Sequence, residues 1–187
     1  MLTHKGTQEI RTKRLILRKF KPEDAHEMYH NWAKDERVCK FLTWAPHESE
    51  EATKGLLNIW CKDYEKSDWY QWAIVYGNKV IGSISVVEFL ENNNSAELGY
   101  CIGFDYWGKG IMSESVQAVI NFLFLEVGLD RITICHALKN PASGRVAQKC
   151  GLILEDVHKK EFKSQWGEFL DMAHYAIVRK DYEKIKK

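Results

Sequence analysis

The segment IMSESVQAVINFLFLEV, residues 111–127, carries apolar side chains at Met112, Val116, Val119, Ile120, Leu123 and Val127. That i, i+3/i+4 spacing predicts a helix with one apolar face, and Gly128 supplies its stop. The runs on either side, SAELGYCIGF (95–104) and RITICHAL (131–138), have strand character. Strand, long helix and strand in that order make a right-handed crossover, which forces the two strands to lie parallel. Few other folds of the chain are compatible with that unit.

The remaining segments read as helices and hairpins around it. RLILRKF is a first strand, and Pro22 opens a helix with Glu23 and Asp24 in its first turn. A second helix is expected from about Ser49 to Tyr64. YQWAIVY and KVIGSISVVEF flank Gly77-Asn78 as a hairpin, and LILEDVHKKEFK and EFLDMAHYAIV form another around Gly167. In NPASGRVAQKCG, Asn140 is positioned to cap a short helix, with Pro141 at its first position and Gly151 at its end. The expectation is one α+β domain over residues 1–187: a mostly antiparallel twisted sheet of about seven strands, one parallel pair and flanking helices.

Composition narrows the class of partner. A formal net charge of +1 gives no electrostatic reason to expect nucleic acid or a membrane surface. The lysine-rich end, RKDYEKIKK, reads as a solvated terminus. Five scattered cysteines without a C-x-x-C pair suit reduced thiols and argue against a disulfide framework or a zinc site. With no apolar signal or spanning segment visible, a cytoplasmic location is expected, as a monomer or homodimer.

The two glycines of YWGKGIMSES then raise a question, because glycine weakens the helix it introduces. A helix N-terminus exposes unpaired N–H groups and about half a positive charge. Glycines there let an anion approach the main chain. Three or four such hydrogen bonds, at about 1.5–3 kcal/mol each, outweigh a glycine cost of about 1 kcal/mol. The spacing matches neither G-x-x-x-x-G-K-[ST] nor G-x-G-x-x-G, which argues against an ordinary nucleoside triphosphate or a dinucleotide.

The stretch AELGYCIGFDYWGKGIMSES resembles the cofactor-binding core of the GNAT acetyltransferases. TKRLILRKFKPEDAHEMY, FLTWAPHESEEA and KNPASGRVAQKCGL are similar to RimJ/RimL-type ribosomal-protein N-acetyltransferases, and the resemblance runs from Thr12 to Val178. It implies acetyl-CoA as cosubstrate and no metal. In the family's [QR]-x-x-G-x-[GA] loop, Trp107 takes the first position, Gly110 the middle glycine and Met112 the last, so two of three positions depart from the pattern. The implied cofactor contacts are Tyr100, Cys101, Ile102 and Gly103 on the strand, Trp107, Gly108, Lys109, Gly110, Ile111, Met112 and Ser113 on the loop and helix, and Asn140 and Ser143. The strand amides near Tyr100 to Gly103 become free if the parallel pair splays.

Acetyl transfer to nitrogen needs a neutral amine, a polarised carbonyl and a proton for the departing thiolate. The resemblance makes Ser143 the proton donor; the other reading is a capping hydroxyl. The tyrosine that many GNAT enzymes use would fall at Ala147, which excludes it. Glu97 is the candidate base, on one strand face with Gly99, opposite Leu98 and Tyr100; the other reading is a carboxylate paired with a lysine. His136 and His158 are reserves. Cys101 and Cys135 are expected on facing strands, inert. Trp44, Trp69 and Trp72 line an acceptor cleft or pack in the core.

An α-amine near 7.7–8 is neutral several hundredfold more often at pH 7 than a lysine near 10.4. The acceptor this favours is a protein or peptide N-terminus, a ribosomal protein by resemblance. The competing readings are a small amine, such as a polyamine or amine antibiotic, and a CoA-binding module without turnover.

Overall fold

The computed structural model describes residues 2–185. Among them, eight strands form one sheet in the order β1-β2-β3-β4-β5-β6-β8-β7. These are β1 (Ile10–Arg11), β2 (Leu15–Arg18), β3 (Gln71–Tyr76), β4 (Lys79–Leu90), β5 (Ser95–Ile102), β6 (Arg131–Ala137), β7 (Ile153–Lys163) and β8 (Phe169–Val178). Every neighbouring pair is antiparallel except β5 and β6, which are parallel. The strand beyond the expected seven is β1, two residues long and too short to leave a periodic signal.

Helices cover both faces. On one lie α1 (Ala25–Met28), α2 (Glu36–Cys39) and α3 (Glu50–Asp63), whose Met28, Val38 and Leu57 share a core with Ala73, Val75 and Val80. Ser49 starts α3 by accepting from the Ala52 N–H at 3.1 Å, with Glu50 and Glu51 in the positive first turn. On the other face lie α4 (Ile111–Phe122) and α5 (Pro141–Lys149) over the larger core. Val116, Val119, Ile120 and Leu123 are fully buried there, as the periodicity requires. The helical segment changes character at its end: Leu123–Val127 is a π turn, closed by Gly128. Trp72 is fully buried in this core and donates its indole N–H to the Gln8 carbonyl at 2.7 Å; it lines no cleft. At the charged end, whose last two residues lie outside those described, Arg179–Ile185 forms α6; Lys180, Asp181, Glu183 and Lys184 are exposed as expected, while Tyr182 is buried against Phe124.

The parallel pair is tied at one end only. β5 and β6 pair at Ser95↔Arg131, Ala96↔Ile132 and Glu97↔Thr133 and no further. The Asp130 N–H donates to the Asn94 carbonyl at 2.9 Å, and Asn94 Nδ2 to Asp130 Oδ2 at 2.7 Å. Past Glu97, β5 continues along β4 to Ile102, while β6 continues along β8 to Ala137. Each strand follows its antiparallel partner, so a gap opens between them.

Candidate active site

The two glycines stand at the mouth of this gap, and both need to be glycine. Gly108 has φ +74° and Gly110 φ +72°, a region that costs other residues about 1–2 kcal/mol. Gly110 is the N-cap of α4 and carries no side chain to cap it. The first-turn N–H groups therefore lack a side-chain cap, and the helix itself offers them no acceptor.

A polar link that sequence reasoning missed holds this loop. Arg14 donates from Nη1 to the Lys109 carbonyl at 3.0 Å and from Nε to Glu114 Oε2 at 2.7 Å. Thr12 Oγ1 and the Arg14 N–H both donate to Glu114 Oε1. Burial pushes the Glu114 carboxyl up, but these bonds outweigh it and hold it below the ordinary value. The only trace in the sequence is an acidic residue in the helix's first turn, and nothing there names a partner a hundred residues away.

Met112 does not stand in the anion's way as a free side chain. It is 7% exposed and belongs to the larger core, as does Ile111. Trp107 turns back to the strand, donating its indole N–H to the Ile102 carbonyl at 2.9 Å and packing against Phe104.

A cavity of about 410 Å³ runs from these amides into the gap. All the expected cofactor contacts line it except Gly103 and Lys109. Gly103 donates its N–H to the Ile81 carbonyl at 2.9 Å, so the expectation of free amides through Gly103 is corrected. The cause is regular pairing with β4, which turns alternate amides inward. By that alternation Cys101 also faces β4, while Tyr100 and Ile102 present N–H and C=O to the gap. Arg145 and Lys149, one turn apart on α5, line the same cavity. Both stood in the N-P-A-S-G-R-V-A-Q-K motif without being given a role.

On the α5 side, the Tyr100 hydroxyl lies 2.9 Å from Ser143 Oγ and donates to the Ser143 carbonyl at 3.2 Å. Burial pushes the Tyr100 hydroxyl's pKa up, against the pull of its bond to Ser143. The phenol thus stays protonated and available as a donor at neutral pH. Asn140 caps α5, its side-chain oxygen accepting from the Ser143 N–H at 3.4 Å. Ala147, where the family's tyrosine would stand, is fully buried. Tyr100 reaches Ser143 from the strand, a contact that spacing along the chain does not reveal.

Glu97 stands at the last residue of β5 that pairs with β6, on the sheet face opposite Tyr100, and does not line the cavity. Burial pushes its carboxyl up, followed by repulsion from Glu88 and Glu161, with His174 acting against them. The Cys101 and Cys135 thiols are each pushed up to about 12 by burial. Among the reserves, His136 is 8% exposed beneath Gly144, and His158 pairs with Asp156 and Glu161 at the surface. Trp44 packs at the edge of the second core and its carbonyl accepts from Gln165 Nε2 at 2.9 Å.

The arrangement suits a long ligand ending in an anion. Uncapped amides and two cations would hold the charged end, and the open edge of β5 would hold an amide-bearing arm, as pantetheine has. The description "Acetyltransferase (GNAT) domain" matches residues 14–153. The ribosomal-protein-serine acetyltransferase of Escherichia coli is 30% identical over 149 residues, covering 73% of this chain and 78% of its own. Among solved structures, an acetyltransferase (GNAT family) from Bacillus anthracis superimposes with a TM-score of 0.81 at 26% identity, over 92% of this chain and 99% of the other. A ribosomal L7/L12 alpha-N-protein acetyltransferase in complex with coenzyme A gives 0.82 at 23%, over 91% and 98%. With three quarters of its length inside that domain, this chain belongs to the GNAT acetyltransferases.

Proposed function

We propose that this chain transfers an acetyl group from acetyl-CoA directly to the N-terminal α-amine of a protein or peptide, of the ribosomal-protein type, with both substrates bound together. The observation that carries the reading is the cavity that joins uncapped α4 amides, the open edge of β5 and the Tyr100–Ser143 pair. Acetyl-CoA, when bound, supplies the acetyl group as a thioester. The amides at Gly108, Gly110, Ile111 and Met112 take its diphosphate, with Arg145 and Lys149 as nearby countercharges. The Tyr100 and Ile102 N–H groups face the gap where the carbonyl would lie and serve as its hydrogen-bond donors.

Ser143 hydrogen-bonds the departing sulfur and relays a proton to it, Oγ regaining one from solvent in the same step, while Tyr100 holds that hydroxyl in place. Glu97, on the opposite sheet face, takes a proton from the amine through water. Because acid and base sit on opposite faces of β5, donor and acceptor can meet in the gap without a covalent relay. The relative named as a ribosomal-protein-serine acetyltransferase supports a ribosomal-protein acceptor.

A second reading is a small cationic amine, which the carboxylates of Glu88, Glu97 and Glu161 clustered on the acceptor side would attract. One experiment separates the readings. Acetyl-CoA should raise the melting temperature, and free thiol should be released with N-terminal peptides but not with polyamines. Ser143→Ala and Glu97→Gln should each slow release. Turnover with polyamines alone supports the second reading, and stabilisation without turnover on any amine leaves a CoA-binding module.

A further inference from the structure

On the sheet face that carries Glu97, three neighbouring strands bring a thiol, an imidazole and a carboxylate to one point. Cys135 on β6 and His174 on β8 are direct cross-strand partners, with Sγ 3.7 Å from Nε2. Glu161 reaches the same imidazole nitrogen from β7, Oε2 to Nε2 2.6 Å. It does so because β7 breaks register between His158 and Phe162. Lys160 lies in that break at φ +53°, its N–H donating to Asp171 Oδ1 at 2.8 Å. A bulge of this kind re-aims a side chain across the sheet. The three ligand atoms lie within 4.8 Å of one another.

We propose that Cys135, His174 and Glu161 form a binding site for a borderline-soft divalent metal ion, zinc above all. Zinc bonds of about 2.3 Å to sulfur and about 2.05 Å to nitrogen, at tetrahedral angles, separate those two atoms by about 3.5 Å. The backbone pairing of β6 and β8 already holds them at nearly that separation. The Glu161 oxygen would retreat by less than about 1 Å from its present hydrogen bond to meet the same geometry, which an exposed side chain on a bulge can do. Binding releases the Cys135 thiol proton to water, leaving the sulfur as thiolate. The Nε2 proton that faces Glu161 is exchanged for one on Nδ1, so the neutral imidazole binds through Nε2 and the net yield is the one proton from Cys135. Water would complete the coordination.

His26, His30 and Glu50 form the other group of metal-ligand type among the described residues. It lacks sulfur and is more exposed, and the Lys34 ammonium already sits 2.9 Å from His30 Nδ1. A sulfur-specific probe therefore distinguishes the two places. The site stands on this geometry alone and does not depend on which amine is acetylated.

The test is titration of the full-length, chelator-treated protein with cobalt(II), without oxygen, followed by displacement with zinc. Thiolate-to-cobalt charge-transfer absorption should grow to one ion per chain and vanish on adding zinc. Cys135→Ser should abolish it, and His174→Gln or Glu161→Gln should weaken cobalt binding by about tenfold or more. His26→Ala with His30→Ala should leave it unchanged. Glu161→Gln alters an exposed side chain, so it reports on the site even if a strand variant folds poorly. Absence of the charge-transfer band, its persistence in Cys135→Ser, or its loss in the His26/His30 variant would overturn the assignment.

Discussion

Replacing Gly110 by alanine tests whether the loop before α4 needs its left-handed backbone. Gly110 has φ +72°, and an added Cβ would meet only Arg14 Nη2 at 3.6 Å, an ordinary contact. Sterics with neighbours therefore contribute little, and the cost is the backbone's own, about 1–2 kcal/mol. For a chain of this length that lowers the melting temperature by about 2–8 °C. If the loop relaxes instead, the amides turn away, and acetyl-CoA affinity falls by about 5–30-fold for the same energy. Gly55 provides the control. It lies inside α3, with nothing within 4 Å of an added Cβ and no positive φ. Gly55→Ala should stabilise by about 0.5–1 kcal/mol, since alanine suits a helix interior better. One chemical change thus has opposite signs at two positions. Urea denaturation gives the stabilities and calorimetry the acetyl-CoA affinity. If Gly110→Ala proved neutral in both measurements, the anion-binding reading of the glycines would fail.

Tyr100→Phe should lower kcat by about tenfold while leaving the KM for acetyl-CoA unchanged, because it removes only the contact that orients Ser143. The double variant with Ser143→Ala should be no slower than Ser143→Ala alone; additive losses would mean that the two hydroxyls act separately. Glu114 makes the loop's attachment sensitive to acid. Its folded-state pKa lies below the ordinary 4.5, so its contribution is complete above that value and disappears as pH falls through the lower one. The acid limb of a stability-versus-pH curve should be shallower in Glu114→Gln, and an unchanged limb would show that the Arg14 link is not stabilising. Gly144→Ala should cost about 1–3 kcal/mol in denaturant titration, since its Cβ would lie 2.7 Å from His136 Nε2 and 3.6 Å from the Tyr175 hydroxyl; a neutral result would mean that His136 moves freely.

The sequence by itself determined the crossover and its surroundings. Local rules suffice there: apolar period for α4, a β-branched run for β6, Asn140 and Pro141 for the start of α5. It also located the glycine loop, because positive φ is a property of single residues. It did not reveal the Arg14–Glu114 link, the Tyr100–Ser143 contact or the Cys135–His174–Glu161 group. Each joins positions 13 to 100 residues apart along the chain. Such contacts depend on strand order, register and one bulge in β7. A residue's own chemistry says what it can bond to. Only the sheet decides which partner is within 3 Å, because a shift of one residue in register sends every side chain to the opposite face.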